Sequence, residues 1–205
     1  MTSIADPISP ASADDLPLLR SSRLGLRGFR DNDLDAFFAV HGDPAVNRYW
    51  SFPAWTEASQ GRAYLDTAIA ARSADCMLCW AITEGIGEAA PLIGAVTLAS
   101  IQRDQGRAEI GYALRASHWG RGHAREAVEL VLGHAFDGLG LRRVEADIDP
   151  RNLGSCRLVE RLGFVREGLL RERWQVAGEL CDSAIYGLLA SDWRARTSRA
   201  GTLPL

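Results

Sequence analysis

The sequence has no uninterrupted apolar stretch of the roughly 18 residues that suggest a membrane span. Its first residues, with Asp6 and Pro7, lack the basic start and apolar core of a secretory signal, so a cytoplasmic protein is expected. An excess of one charge is also missing. Charged residues make up 24% and the formal net charge is -3, which offers neither nucleic acid nor an anionic membrane an electrostatic handle as main partner. Cysteine is scarce: of Cys76, Cys79, Cys156 and Cys181 only the first two are closely spaced. With no second pair, and with Cys79 in an apolar run, all four are expected to be thiols and no metal site is expected. Internal repeats and low-complexity linkers are absent as well, so nothing divides the middle of the chain.

The chain of 205 residues is long enough to bury a sizeable core in one domain. Residues 1–18 are rich in Ser, Ala, Asp and Pro without apolar periodicity and are expected to form a flexible N-terminal arm. By the same reasoning residues 194–205 form a flexible C-terminal tail, leaving a single domain over 19–193.

Within that domain Leu24, Leu26 and Phe29 alternate as a strand, and Asp31 would cap a short helix through Leu34, Phe37 and Phe38. Pro44 to Trp50 suggests a helical turn, and Ala63, Leu65, Ile69 and Ala70 support a helix to about Ser73. Strands follow near 77–83, 92–101 and 108–114, the first two joined by a Gly-rich turn. A strongly amphipathic helix carries Ala124, Ala127, Val128, Val131 and Ala135 on one stripe. Beyond a strand at 144–148, Asn152 would cap a helix ended by Gly163, and two last strands lie near 164–174 and 182–189. The order is mixed α/β with an antiparallel first half.

Chemistry concentrates in Trp119-Gly120-Arg121-Gly122-His123-Ala124, a glycine loop between a strand and the amphipathic helix. A helix start presents unpaired amides and a positive dipole end, and glycines let a phosphate approach the backbone, so the arrangement suits a pyrophosphate. A glycine pair before a helix also builds an ordinary tight turn, so the loop alone does not decide. It fits neither common nucleotide fingerprint: the third glycine of a dinucleotide site is replaced by Arg125, and no Gly-Lys-Ser/Thr follows.

The loop resembles the pyrophosphate motif of the GNAT N-acetyltransferases, Gln/Arg-x-x-Gly-x-Gly/Ala, with Trp119 in the first place and Gly122 and Ala124 at the small positions. The run from Trp119 to Ala127 looks like the RimJ/RimL type within that superfamily. Asp149 to Ser155, Leu162-Gly163-Phe164 and the turn from Gly178 to Asp182 extend the resemblance over about residues 21–190. It implies an α/β (α+β) fold with a mixed, mostly antiparallel sheet of about six to seven strands, about four flanking helices, and splayed fourth and fifth strands.

The resemblance further implies acetyl-CoA as cosubstrate, with backbone amides of Gly120, Arg121, Gly122, His123, Ala124 and Arg125 on its pyrophosphate and the main chain around Leu114 beside pantetheine. Arg121, His123 and Arg125 also read as a solvated basic turn. Glu109 is the candidate general base and Ser155 the candidate proton donor to the leaving thiolate, with Asn152 contacting pantetheine; Asn152 and Ser155 also suit a helix cap. The acceptor, an amine on a protein N-terminus or a small molecule, would meet Tyr49, Trp50 and Trp174, with Phe52, Trp55, Asp31 and Asp33 as further candidate walls. Several of these aromatics equally suit a core. A homodimer is expected. The competing reading is a non-catalytic CoA-binding module on the same fold.

Overall fold

The structure, a computed structural model, describes residues 16–73 and 76–200. Among the described residues eight strands form a single sheet, the central β3 and β4 buried almost throughout and β6 alternating: β1 (Leu19–Arg20), β2 (Leu24–Arg27), β3 (Leu78–Glu84), β4 (Leu92–Gln102), β5 (Arg107–Leu114), β6 (Arg143–Ile148), β7 (Val165–Val176) and β8 (Glu179–Leu189). They lie in the order β1-β2-β3-β4-β5-β6-β8-β7. Every neighbouring pair is antiparallel except β5 and β6. Among the described residues six α-helices flank the sheet: α1 (Leu34–His41), α2 (Pro44–Asn47), α3 (Ala58–Ser73), α4 (His123–Gly133), α5 (Leu153–Arg161) and α6 (Ala190–Ala200).

The expected class holds, with differences in count. Eight strands stand against six to seven because β1 is two residues long, too short to show alternation, and is held by its pairing of Leu19 with Leu26. Six helices stand against about four: the expected helical turn from Pro44 is the short α2, and the terminal α6 is the addition. The tail expected from residue 194 is, as far as Ala200, the continuation of α6. Its anchor is Trp193, buried against Phe136 at 6.0 Å between ring centroids, a contact that composition does not reveal. Of the expected arm, residues 1–15 lie outside the described residues; Leu16 packs on the core and the Pro17 carbonyl accepts from Trp80 Nε1 at 2.9 Å. All four cysteines are free thiols. Among the described residues no helix is long and apolar enough to cross a membrane.

The two faces of the sheet are packed differently. Trp80, Ile82, Val96, Leu98 and Ile110 point to the side covered by α4, whose Ala127, Val128, Val131 and Leu132 are buried. On the other side Ala81 pairs with Ala95 and Ala95 with Ala113, a row of small side chains across three strands that lets α1 and α3 come close. Helix α3 buries Gly61, Leu65 and Ala68, at helical spacing, whereas Ile69 stands 52% exposed, contrary to its expected place on the apolar stripe.

Phe37, His41, Trp55 and Tyr64 form an aromatic layer over the alanine row. His41 Nδ1 is 3.0 Å from Asn47 Oδ1. Burial pushes the His41 pKa down to about 4, against the opposing hydrogen bond to Asn47, so the folded state excludes a proton that the unfolded chain accepts near 6.5. Stability contributed by neutral His41 is therefore full above about pH 6.5 and declines as pH falls toward 4. Urea titrations at pH 7.5 and 4.5 should show an extra loss of about 2–3 kcal/mol in the wild type that is absent from His41→Gln.

Candidate active site

β5 and β6 are paired only at Arg107 with Arg143, Ala108 with Val144 and Glu109 with Glu145. β5 nevertheless stays on β4 as far as Leu114, and β6 stays on β8 as far as Ile148. Beyond Glu109 the parallel pair therefore divides, and a cavity of about 350 Å3 occupies the fork. Tyr49, Trp50, Glu109, Asn152, Ser155 and Trp174, drawn from four separate parts of the chain, all line it. Asn152 caps α5 by accepting from the Ser155 amide at 3.1 Å, which places both residues at the start of that helix facing the cavity.

Trp174 arrives from the far side. The β7–β8 hairpin turns at Ala177 and Gly178, with φ of 48° and 88°, the paired left-handed conformations of a tight hairpin turn. A register break between Leu170 and Trp174, with Glu172 at φ 51° and its amide donating to Asp182 Oδ1 at 2.9 Å, re-aims the strand. Arg173 Nε then reaches Asp147 at 2.9 Å, and Trp174 comes over the cavity.

The glycine loop lies past the other end of β5. Gly120 and Gly122 have φ of 75° and 82°, and Gly122 is the N-cap of α4, which has no side-chain cap on its amides. A Cβ on Gly120 would meet nothing within 4 Å, so the loop face is open to a ligand. The chemistry of this cradle, free amides at a helix start, fits an oxyanion such as a pyrophosphate. Arg115 N–H donates to the Ile93 carbonyl at 2.8 Å, so by the alternation of the ladder the Leu114 backbone groups face the fork. The Leu114 carbonyl accepts from Trp119 Nε1 at 2.8 Å.

A model of the acetyltransferase (GNAT) domain matches residues 23–165. The chain is 32% identical over 179 residues to the uncharacterized N-acetyltransferase p20 of Bacillus licheniformis, covering 85% of this chain and 97% of that protein. The chain belongs to the GNAT acetyltransferase family. It is accordingly an acetyl-CoA-dependent N-acetyltransferase. The uncharacterized N-acetyltransferase YoaA of Bacillus subtilis (strain 168) is 31% identical over 173 residues, 84% of this chain and 97% of its own length. In fold the chain is similar to spermidine N-acetyltransferase from Vibrio cholerae, solved with CoA and spermine, at a TM-score of 0.75 and 23% identity over 85% of this chain and 99% of that one.

Within this GNAT domain the candidate residues fall into two groups. Glu109, Asn152, Ser155, Tyr49, Trp50 and Trp174 share the cavity; Leu114 and Trp119 to Arg125 form the separate loop end. Some side chains depart from their expected settings. His123 is 4% exposed, with its ring 6.1 Å from that of His118, so it is not part of a solvated turn. Trp119 spends its indole N–H on β5. Asp33 is buried and paired with Arg27 at 2.6 Å, and Trp55 belongs to the aromatic layer, so neither walls the cavity.

Several lining residues escaped sequence reasoning: Tyr112, Asp147, Asp149, Glu179 and Asp182. Tyr112 donates to the Ser155 carbonyl at 3.5 Å, and burial pushes its phenol up to about 12. Asp147 lies two residues past Glu145, the register partner of Glu109, a relation that only strand pairing could have supplied. Burial, and then the charge of Asp147, raise the pKa of half-buried Glu109, while Arg173 opposes them. Asp147→Asn should therefore lower the Glu109 pKa, seen as a carboxyl 13C titration that moves to lower pH than in the wild type.

Proposed function

We propose that the protein transfers the acetyl group of acetyl-CoA to a primary amine by direct attack in a ternary complex. The acceptor is a protein N-terminal α-amine or a small-molecule amine. The observation that carries this reading is the arrangement along β5: a half-buried carboxylate of raised pKa at the fork, and an uncapped glycine loop past the end of the same strand. From Glu109 to Leu114 is about 17 Å of extended backbone, a gap for the pantetheine arm to bridge. The exposed edge of β5 would align that arm, and the Leu114 N–H, facing the fork, would stabilise the oxyanion of the tetrahedral intermediate.

Glu109 would accept the proton of the attacking amine, directly or through water. Ser155 would hydrogen-bond or protonate the departing thiolate. Tyr49, Trp50 and Trp174 would hold the acceptor; of the carboxylates around them Asp147 is paired with Arg173, and Asp149 and Glu179 with Arg151, which leaves Asp182 and Glu109 to favour an amine that arrives as its ammonium ion. A terminal α-amine, with a pKa of about 7.7–8.0, makes a smaller demand on the base than a lysine near 10.4. A homodimer is part of the same reading; β7, at the edge of the sheet, exposes Val165, Leu169 and Leu170 and offers a surface for a second copy.

The test is acetyl-CoA-dependent release of free CoA thiol across a panel of N-terminal peptides, polyamines and other small amines. The 23 Lys and Arg residues are all arginine, so acetylation of the protein's own lysines gives no background. Glu109→Gln should lower kcat/KM by roughly 100-fold or more, and Ser155→Ala by about tenfold. Activity needs Glu109 ionised, so the acid limb of kcat/KM should lie above the ordinary carboxylate range. No thiol release with any amine, despite tight CoA binding, would favour the non-catalytic module. Gly122→Val, forced into a left-handed conformation, should weaken CoA at least about tenfold in calorimetry.

A further inference from the structure

Arg23 stands beside the glycine loop although about a hundred residues of chain separate them. Its Nε donates to Glu126 Oε2 at 2.9 Å, its Nη2 donates to the same oxygen, and its Nη1 donates to the Arg121 carbonyl at 3.2 Å. Ser21 Oγ donates to the other Glu126 oxygen. One guanidinium thus ties the turn between β1 and β2 to both the loop and the first turn of α4.

Two consequences follow from elementary chemistry. In a trans peptide the C=O and the following N–H point in opposite directions, so fixing the Arg121 carbonyl toward Arg23 directs the Gly122 N–H the other way. Glu126 lies in the first turn of α4, where a carboxylate is favourable to the helix but competes with any phosphate for the same positive end. The Arg23 charge offsets that competition. Burial alone would raise the Glu126 pKa, yet Ser21 and Arg23 lower it overall, so the carboxylate is ionised and its charge must be balanced locally.

We propose that Arg23 is a positioning residue for the acetyl donor: it turns the Arg121–Gly122 peptide so that its amide faces the pyrophosphate, and it cancels the Glu126 carboxylate at the anion-binding end of α4. The inference rests on the reading that this loop holds the CoA pyrophosphate. A planar guanidinium is required, because three of its N–H groups are used in one fork that an ammonium cannot reproduce.

Calorimetric titration of the full chain with CoA and with 3′-dephospho-CoA tests it. Arg23→Gln should weaken both ligands about tenfold, and Arg23→Gln/Glu126→Gln should return to within about threefold of wild type, since the uncompensated charge is then gone. Affinity of Arg23→Gln within twofold of wild type, or a double variant as weak as Arg23→Gln, overturns the proposal. So does a loss confined to CoA, which would mean that Arg23 meets the 3′-phosphate directly. Should Arg23→Gln fail to fold, Glu126→Gln decides alone: about threefold tighter CoA binding supports the role, and unchanged or weaker binding refutes it. Gly122→Val separates the two levels, because unimpaired CoA binding there removes the loop reading itself, whatever Arg23 does.

Discussion

The rest of the molecule depends on the division of one parallel strand pair. β5 is held by β4 as far as Leu114 and β6 by β8 as far as Ile148, yet the two pair with each other only from Arg107 and Arg143 to Glu109 and Glu145. Backbone groups at such a fork need partners, as buried or half-buried peptide groups always do. At Leu114 a side chain, the Trp119 indole, supplies one to the carbonyl. Elsewhere along the fork the strand edge is available to an extended ligand, which is how an interrupted sheet becomes a binding site.

Parallel register also sets the electrostatics. Glu109 and Glu145 stand side by side, but Glu145 has Arg107 at 3.0 Å and Arg143 at 2.8 Å, and Asp147 has Arg173. Among the described residues no cation is salt-bridged to Glu109. It therefore carries the burial and the neighbouring negative charge largely uncompensated, and its pKa rises. A carboxylate in that condition is a better proton acceptor than a solvated one, which is the property an amine-deprotonating site uses.

Packing supports the fork from both sides. On one side the row Ala81, Ala95 and Ala113 admits the aromatic layer of α1 and α3, and the chain leaving that layer delivers Tyr49 and Trp50 to the cavity. On the other, the bulge at Glu172 bends β7 until Trp174 closes over Asp147. Neither contribution is local. Each places an aromatic by means of contacts made outside the cavity, the aromatic layer in one case and the register break of β7 in the other.

The glycine loop, the amphipathic helix behind it, the Asn152 cap and most strands were legible in the sequence because each rests on short-range physics: left-handed glycines, helical periodicity, a side chain accepting from an amide three residues on. Glu109 was legible as the one carboxylate on its strand, and the family resemblance rested on such local motifs in order. Tertiary structure decided the rest. It joined six candidates in one cavity, set Asp147 near Glu109, buried His123, made a helix around Trp193 and brought Arg23 to the loop. These facts arise from strand register and from contacts across about a hundred residues, where the energy of a pair depends on distance and burial that no local pattern encodes.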